Sequence, residues 1–180
     1  TYGDGGNGYA PLTALDIVGH EITHGLTSFT AKLSNSSRES GALNEGFSDI
    51  FGTTIEFYAT PSKADWTIAE DVGTPFRSLS NPKTYFQPDT YLGTYWKNDS
   101  LDSFGAHTNL GVLNHWYYLL CQGGNGTNDK GSVYSVSGIG IAKAANIAFR
   151  TLTVYLTSNS KYADARFYSV LSAEDLYGVC

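Results

Sequence analysis

The sequence predicts an α+β, predominantly helical chain, on three observations. Apolar residues recur at helical spacing in five segments, at about residues 14–29, 42–58, 110–120, 139–156 and 162–177. The stretches between them are rich in Gly, Pro, Asp, Asn and Tyr, above all residues 60–101, where little periodicity survives. The length of 180 residues suits one domain with a real core, and no internal repeat or linker marks a second.

Taken in order, residues 1–13 are Gly-rich and extended or turning. The first helix carries His20-Glu21-Ile22-Thr23-His24. On a helix its two histidines are about 40° apart around the axis and roughly 6 Å apart along it, so both rings reach one metal ion. Glu21 follows the first histidine by one position, which puts a carboxylate beside a metal rather than on it. A polar connector over residues 34–40 leads to the second helix. There Leu43, Phe47, Ile50, Phe51, Thr54, Ile55 and Tyr58 form an apolar face, with Glu45, Asp49 and Glu56 off that stripe.

Glu45 and Asp49 project together, and two acids that close require a positive neighbour. Catalytic zinc typically takes three protein ligands and leaves one position to water. His20, His24 and Glu45 are therefore the expected zinc ligands, with Asp49 as the acceptor that orients a ligand ring. The plain alternatives are a buried, hydrogen-bonded histidine pair and a solvated acidic helix face. Beyond the loop region, Leu113, Trp116, Tyr117 and Leu120 mark a third helix that Gly123-Gly124-Asn125-Gly126 breaks, and two further helices follow.

Composition narrows the function. A net charge of −6 and a pI near 5.0 argue against a nucleic-acid partner. No apolar stretch reaches the roughly 20 residues that span a membrane. Charged residues make up only 16% while Tyr, Gly and Ser abound, which fits a secreted, extracellular globular protein. The chain has no Met, so a processed protein or a fragment is expected. Its two cysteines, Cys121 and Cys180, allow either one disulfide or two buried thiols. Asn35, Asn98 and Asn125 fit the glycosylation pattern, incidentally in a chain so rich in Ser and Asn.

His20–Gly25 (HEITHG) followed by Gly41–Gly52 (GALNEGFSDIFG) resembles the thermolysin family of zinc metallopeptidases. Tyr2-Gly3-Asp4-Gly5, the RSLSNP of Arg77 to Pro82, the DSFGAHTN of Asp102 to Asn109 and Asp175-Leu176-Tyr177-Gly178 match family signatures in order, over essentially the whole chain. The resemblance implies a fold made of the catalytic helix and the C-terminal helical half. The β-rich half before the YGDG element and a short closing helix are absent from this chain, so residues 1–180 are expected to be a catalytic region truncated at both ends. It also implies a secreted zymogen with its own pro-segment, and a monomer acting on protein or peptide substrates.

For the site, the resemblance implies one catalytic Zn²⁺ and one or two structural Ca²⁺ ions, the latter at Asp16, Glu56, Asp65 and Glu70. The family's other calcium loop looks shortened here and is not carried over. Glu21 matches the general base, His107 the histidine that stabilises the transition state, and Asp102 the carboxylate that orients it. Arg77 matches the arginine that holds a substrate carbonyl. Tyr9, Leu12, Ile17, Ile68, Val72 and Phe76 fall at or near the primary pocket, which implies cleavage on the amino side of a hydrophobic residue. The family's oxyanion-binding tyrosine between the two zinc helices has no counterpart in Ser34-Asn35-Ser36-Ser37, so more of that role falls to His107. The same ligand set also serves a zinc aminopeptidase, whose Gly-rich exopeptidase motif and acidic anchor are missing. A metal-stabilised binding domain without activity is the reading from outside enzymology.

Overall fold

The computed structural model describes residues 3–34 and 38–178. Six α-helices dominate it: α1 (Leu15–Phe29), α2 (Arg38–Ala59), α3 (Asp102–Asn109), α4 (Gly111–Gln122), α5 (Ile141–Arg150) and α6 (Tyr162–Tyr177). Two small antiparallel pairs complete it, β1 (Thr67–Ile68) with β2 (Arg77–Ser78) and β3 (Gly123–Thr127) with β4 (Val133–Ser137). The chain is thus predominantly helical with short strands, as expected.

Helix α2 is the axis of the molecule, in contact with α1, α3, α4, α5, α6 and β1. Every residue from Ser40 to Ile50 is buried, so this half of α2 has no solvent face. Leu43, Phe47 and Ile50 pack with Leu79, Leu113, Tyr117, Ala148 and Leu152 to form the core. The apolar stripe expected to run to Tyr58 ends sooner, for Ile55 and Tyr58 are 36% and 90% exposed. The buried polar members of α2 find partners. Ser40 donates to Ser160 O at 2.8 Å, and Ser48 to Asn44 O at 3.0 Å. Asn44 donates to Leu33 O at 3.3 Å, while Asp49 takes donors from three other elements.

Helices α1 and α2 cross where both carry glycine. A Cβ on Gly19 would lie 2.9 Å from Gly52 Cα, and a Cβ on Gly52 would lie 2.3 Å from Asp16 O. No side chain fits there without parting the helices, and the crossing is one residue from His20.

Several boundaries differ from the expectation. Helix α2 starts at Arg38 rather than 42. The Gly123–Gly126 run is a strand rather than a simple break, pairing Gly126 with Tyr134. Glycines give a strand no alternating pattern to read, and Gly126 leaves room for the Tyr134 ring, whose hydroxyl would be 2.8 Å from an added Cβ. The helix expected over residues 139–156 becomes π-helical at Thr151–Tyr155. Helix α3 was hidden because Ser103, Phe104 and Gly105 open it with φ of 49°, 64° and 84°, a left-handed turn before the right-handed one. Tyr2, Asn35, Ser36, Ser37 and Cys180 lie outside the described residues. Of the two cysteines that could form a disulfide only Cys121 is described, and it is buried.

The α1–α2 crossing yields a test. Gly52→Ala is expected to lower stability by about 1–3 kcal/mol through overpacking, read as a shift in the denaturant midpoint. An unchanged midpoint would show that the helices part at no cost.

Candidate metal centre

The α1–α2 crossing brings the two histidines of α1 over Asn44, Glu45, Ser48 and Asp49 of α2. His20 Nδ1 is 2.8 Å from Asp49 Oδ1. His24 Nδ1 is 3.0 Å from Asn44 Oδ1, with Ser48 Oγ at 3.2 Å. The Asn44 amide is oriented by its Nδ2 donating to Leu33 O. A carboxylate and an amide oxygen only accept, so both Nδ1 atoms carry protons and both Nε2 atoms turn inward. The two Nε2 atoms are 3.0 Å apart. Glu45 completes the triangle, with Oε2 3.3 Å from His20 Nε2 and Oε1 3.6 Å from His24 Nε2.

Three lone-pair donors cannot face each other this closely without a positive charge among them. A proton on His20 supplies one. Burial disfavours its charged form, but the bonds to Asp49 and Glu45 prevail and push His20 up to about 9. A dication serves both rings and Glu45 together. Zinc bonds of 2.0–2.2 Å in tetrahedral array set ligand atoms about 3.3–3.6 Å apart, close to the three separations seen. The donor set therefore fits Zn²⁺. Burial raises Glu45, but the His20 bond and the charges of His107 and His24 lower it further, so it stays ionised.

Asp49 is fully buried. Burial opposes its charge, yet the guanidinium of Arg77 and the bond from His20 hold its carboxyl well below the usual range. Arg77 donates from Nε to Oδ2 and from Nη2 to Oδ1, both at 2.7 Å. Asn114 of α4 donates from Nδ2 to Oδ2 at 2.8 Å.

A cleft of about 230 Å³ opens over this centre, lined by Leu12, Ile17, His20, Glu21, His24, Glu45, Ile68, Phe76, Arg77 and His107. Four of the expected pocket residues are therefore here. Val72 is not a wall of it; it is buried in the core, and its carbonyl accepts from Ala10 N at 2.8 Å. Tyr9 packs on Phe76, ring centroids 5.3 Å apart. Across the cleft His107 Nε2 is 3.5 Å from Glu45 Oε2, and its Nδ1 is 2.7 Å from Asp102 Oδ1. Thr108 Oγ1 donates to the other oxygen of Asp102 at 2.9 Å. His115 lies apart from this group, its Nδ1 3.3 Å from Leu79 O and its ring stacked on Tyr118. A larger cavity of about 400 Å³ between α2, α4 and α6 is walled mainly by apolar side chains, and no metal-ligating group lines it.

A second acidic cluster joins Glu56, Glu70 and Asp71, whose carboxylate oxygens lie within 4.8 Å of one another. Asp71 was not anticipated; as one more acid on an acidic loop it carried no signal of its own. Glu56 is buried, and its Oε2 has no hydrogen-bond partner among the described residues. Asp16 straps the loop down, its Oδ2 accepting from Ala69 N at 2.6 Å and its Oδ1 from Ile17 N at 2.7 Å. Asp65 Oδ1 accepts from Thr67 N at 2.6 Å, turning the same loop inward.

Two histidines and a glutamate from two crossed helices, with a carboxylate next along the first helix and an open cleft above, form a donor set that could hold one metal ion. The family model described as thermolysin metallopeptidase, alpha-helical domain, matches residues 31–180. The one described as thermolysin metallopeptidase, catalytic domain, matches residues 1–28. The chain belongs to the thermolysin metallopeptidase family. It is 44% identical over 98% of its length to a bacillolysin of Bacillus caldolyticus and to a thermolysin of Alicyclobacillus acidocaldarius subsp. acidocaldarius, and covers 32% of each. The thermostable neutral protease NprT of Geobacillus stearothermophilus matches to the same extent. The chain thus spans about a third of the length of these relatives.

The acidic cluster sets a pH dependence. Burial first, then Glu70 and the other acids, push Glu56 from 4.5 up to about 8. Between those values the unfolded chain releases a proton that the folded chain keeps, so stability is present below pH 4.5 and is lost as pH rises toward 8. In a chelating buffer the melting temperature is expected to fall through that window, and Glu56→Gln is expected to flatten the fall. Equal slopes for the two proteins would remove the assignment.

Proposed function

We propose that the whole protein is a secreted, extracellular zinc metalloendopeptidase that cuts peptide bonds on the amino side of hydrophobic residues. The observation that carries this is the inward-facing trio of His20 Nε2, His24 Nε2 and Glu45, with each imidazole anchored through Nδ1. Those three residues would hold one Zn²⁺. Bound there, zinc lowers the pKa of a coordinated water toward 7 and polarises a carbonyl oxygen.

Glu21 lines the cleft and would take a proton from the attacking water and hand it to the departing amine. His107 donates from Nε2 to the oxygen that gains charge, and Asp102 holds its ring through Nδ1. Arg77 gives Nε and Nη2 to Asp49, which leaves Nη1 for a substrate carbonyl. Leu12, Ile17, Ile68 and Phe76 offer an apolar wall to the side chain after the scissile bond. Maturation from a pro-segment, action as a monomer and a single catalytic region over residues 1–180 follow from the same reading. No helix among the described residues is long and apolar enough to cross a membrane.

Calcium is the second cofactor of this reading. Glu56 and Glu70 form its centre, and Asp71 joins them. Asp16 and Asp65, expected as further ligands, stand outside that group of three and instead accept backbone N–H bonds that secure the loop. Hard carboxylate oxygens suit that ion.

Glu21→Ala should retain zinc and lose about 10²–10⁴-fold in turnover of a blocked peptide with Leu or Phe after the scissile bond. His107→Ala should lower kcat far more than it raises KM. Full activity in Glu21→Ala would end the mechanism, and cleavage only of peptides with a free amino terminus would favour an aminopeptidase. Removing calcium at constant zinc should lower the melting temperature and open residues 60–75 to proteolysis. Identical melting and digestion would count against the calcium assignment.

A further inference from the structure

The two oxygens of Asp49 are both saturated. Oδ1 takes Nδ1 of His20 at 2.8 Å and Nη2 of Arg77 at 2.7 Å. Oδ2 takes Nε of Arg77 at 2.7 Å and Nδ2 of Asn114 at 2.8 Å. Asn114 comes from α4, is completely buried, and is 65 residues from Asp49 in sequence. Its other amide atom, Oδ1, has no hydrogen-bond partner among the described residues. A buried carbonyl left without a donor costs folding free energy, while Nδ2 of the same side chain bonds a buried carboxylate. An unpaired buried polar atom of this kind calls for an explanation beyond packing.

The geometry supplies one. Arg77 bonds both carboxylate oxygens from the β2 side, and His20 donates to Oδ1. Asn114 adds a contact to Oδ2 from a further element, α4. Because the amide is neutral, it adds a donor without adding a cation that would compete with His20 for the carboxylate. A lysine or arginine at 114 would compete, and an aspartate would repel.

We infer that Asn114 is a positioning residue for His20: it locks the Asp49 carboxylate in the rotation that presents Oδ1 to the His20 Nδ1 proton. His20 Nε2 is thereby aimed at Glu45 and His24. The inference rests on the zinc reading of the centre. It extends the set of groups that determine metal affinity to a fourth element, beyond α1, α2 and β2.

Asn114→Leu and Asn114→Ala, each in the full chain, test it. Both should bind zinc about 10–100-fold more weakly than the parent in competition with a chromogenic chelator, the range seen for partners of ligand histidines. In zinc-free protein, ¹⁵N-histidine NMR should show the His20 Nδ1 proton downfield and protected from exchange in the parent, and shifted or lost in both variants. The zinc-free denaturation midpoint of each variant is read beside its zinc affinity, since losing a donor to a buried carboxylate lowers stability as well. Parental zinc affinity together with a parental His20 signal would overturn the inference. A lowered midpoint with unchanged zinc affinity, or failure of both variants to fold, would make Asn114 a packing residue and overturn it equally. Should the parent itself bind no zinc, the metal reading fails, while the His20 proton signal still decides whether Asn114 positions that ring.

Discussion

The carboxylate of Asp49 is the interaction on which the rest of this structure depends. It is fully buried, and a buried anion is tolerated only when it is paired and hydrogen-bonded. Four donor contacts from α1, β2 and α4 meet it. Each contact also ties its element to α2. The ion pair that neutralises the charge holds the β2 strand and the loop behind it, and the histidine that shares the charge is turned toward the metal centre. A single polar group thus performs two tasks that sequence keeps apart, closing the fold and orienting the His20 ring.

Much of this was legible in the sequence. His20 and His24 were readable because a spacing of four on a helix fixes where two rings point. Glu45 and Asp49 were readable because two acids on one helical face require a positive partner. What could not be read is what depends on long-range contact. Arg77 was expected to face a substrate, and nothing in its surroundings along the chain tells that two of its donors are committed to Asp49. Asn114 lies in an otherwise apolar helical run and gave no signal. Asp71 and the β3–β4 hairpin were missed because an acid among acids and a strand made of glycines have no distinctive local pattern. The early end of the apolar stripe on α2 has the same origin: burial at Ile55 and Tyr58 depends on what packs against them, and no periodicity reports that.

The buried half of α2 explains why the centre is polar in a helix without a solvent face. Ser40, Asn44, Glu45, Ser48 and Asp49 would each destabilise an ordinary core helix. Here every one has a partner, and for Asn44, Ser48, Glu45 and Asp49 that partner includes a histidine of α1. The glycine contact at Gly19 and Gly52 is the complement of this pattern, since the polar groups are matched only if the two backbones come this close.

The two sides of the cleft are held by different means. On the side of His20, His24 and Glu45, buried charge pairs and helix packing hold the groups. On the other side, His107 is on an exposed turn, its side chain 57% accessible. Asp102, Ser103 and Phe104 precede it with positive φ. Left-handed backbone costs about 1–2 kcal/mol per non-glycine residue, so this turn needs compensation. Asp102 supplies part of it by accepting from both His107 and Thr108. Phe104 supplies another part, its ring lying under the Arg38 guanidinium at 5.3 Å. The Asp102 contacts are local, and both are on the exposed side of the cleft. His107 is therefore carried on the more yielding wall, and the cluster of His20, His24 and Glu45 on the rigid one.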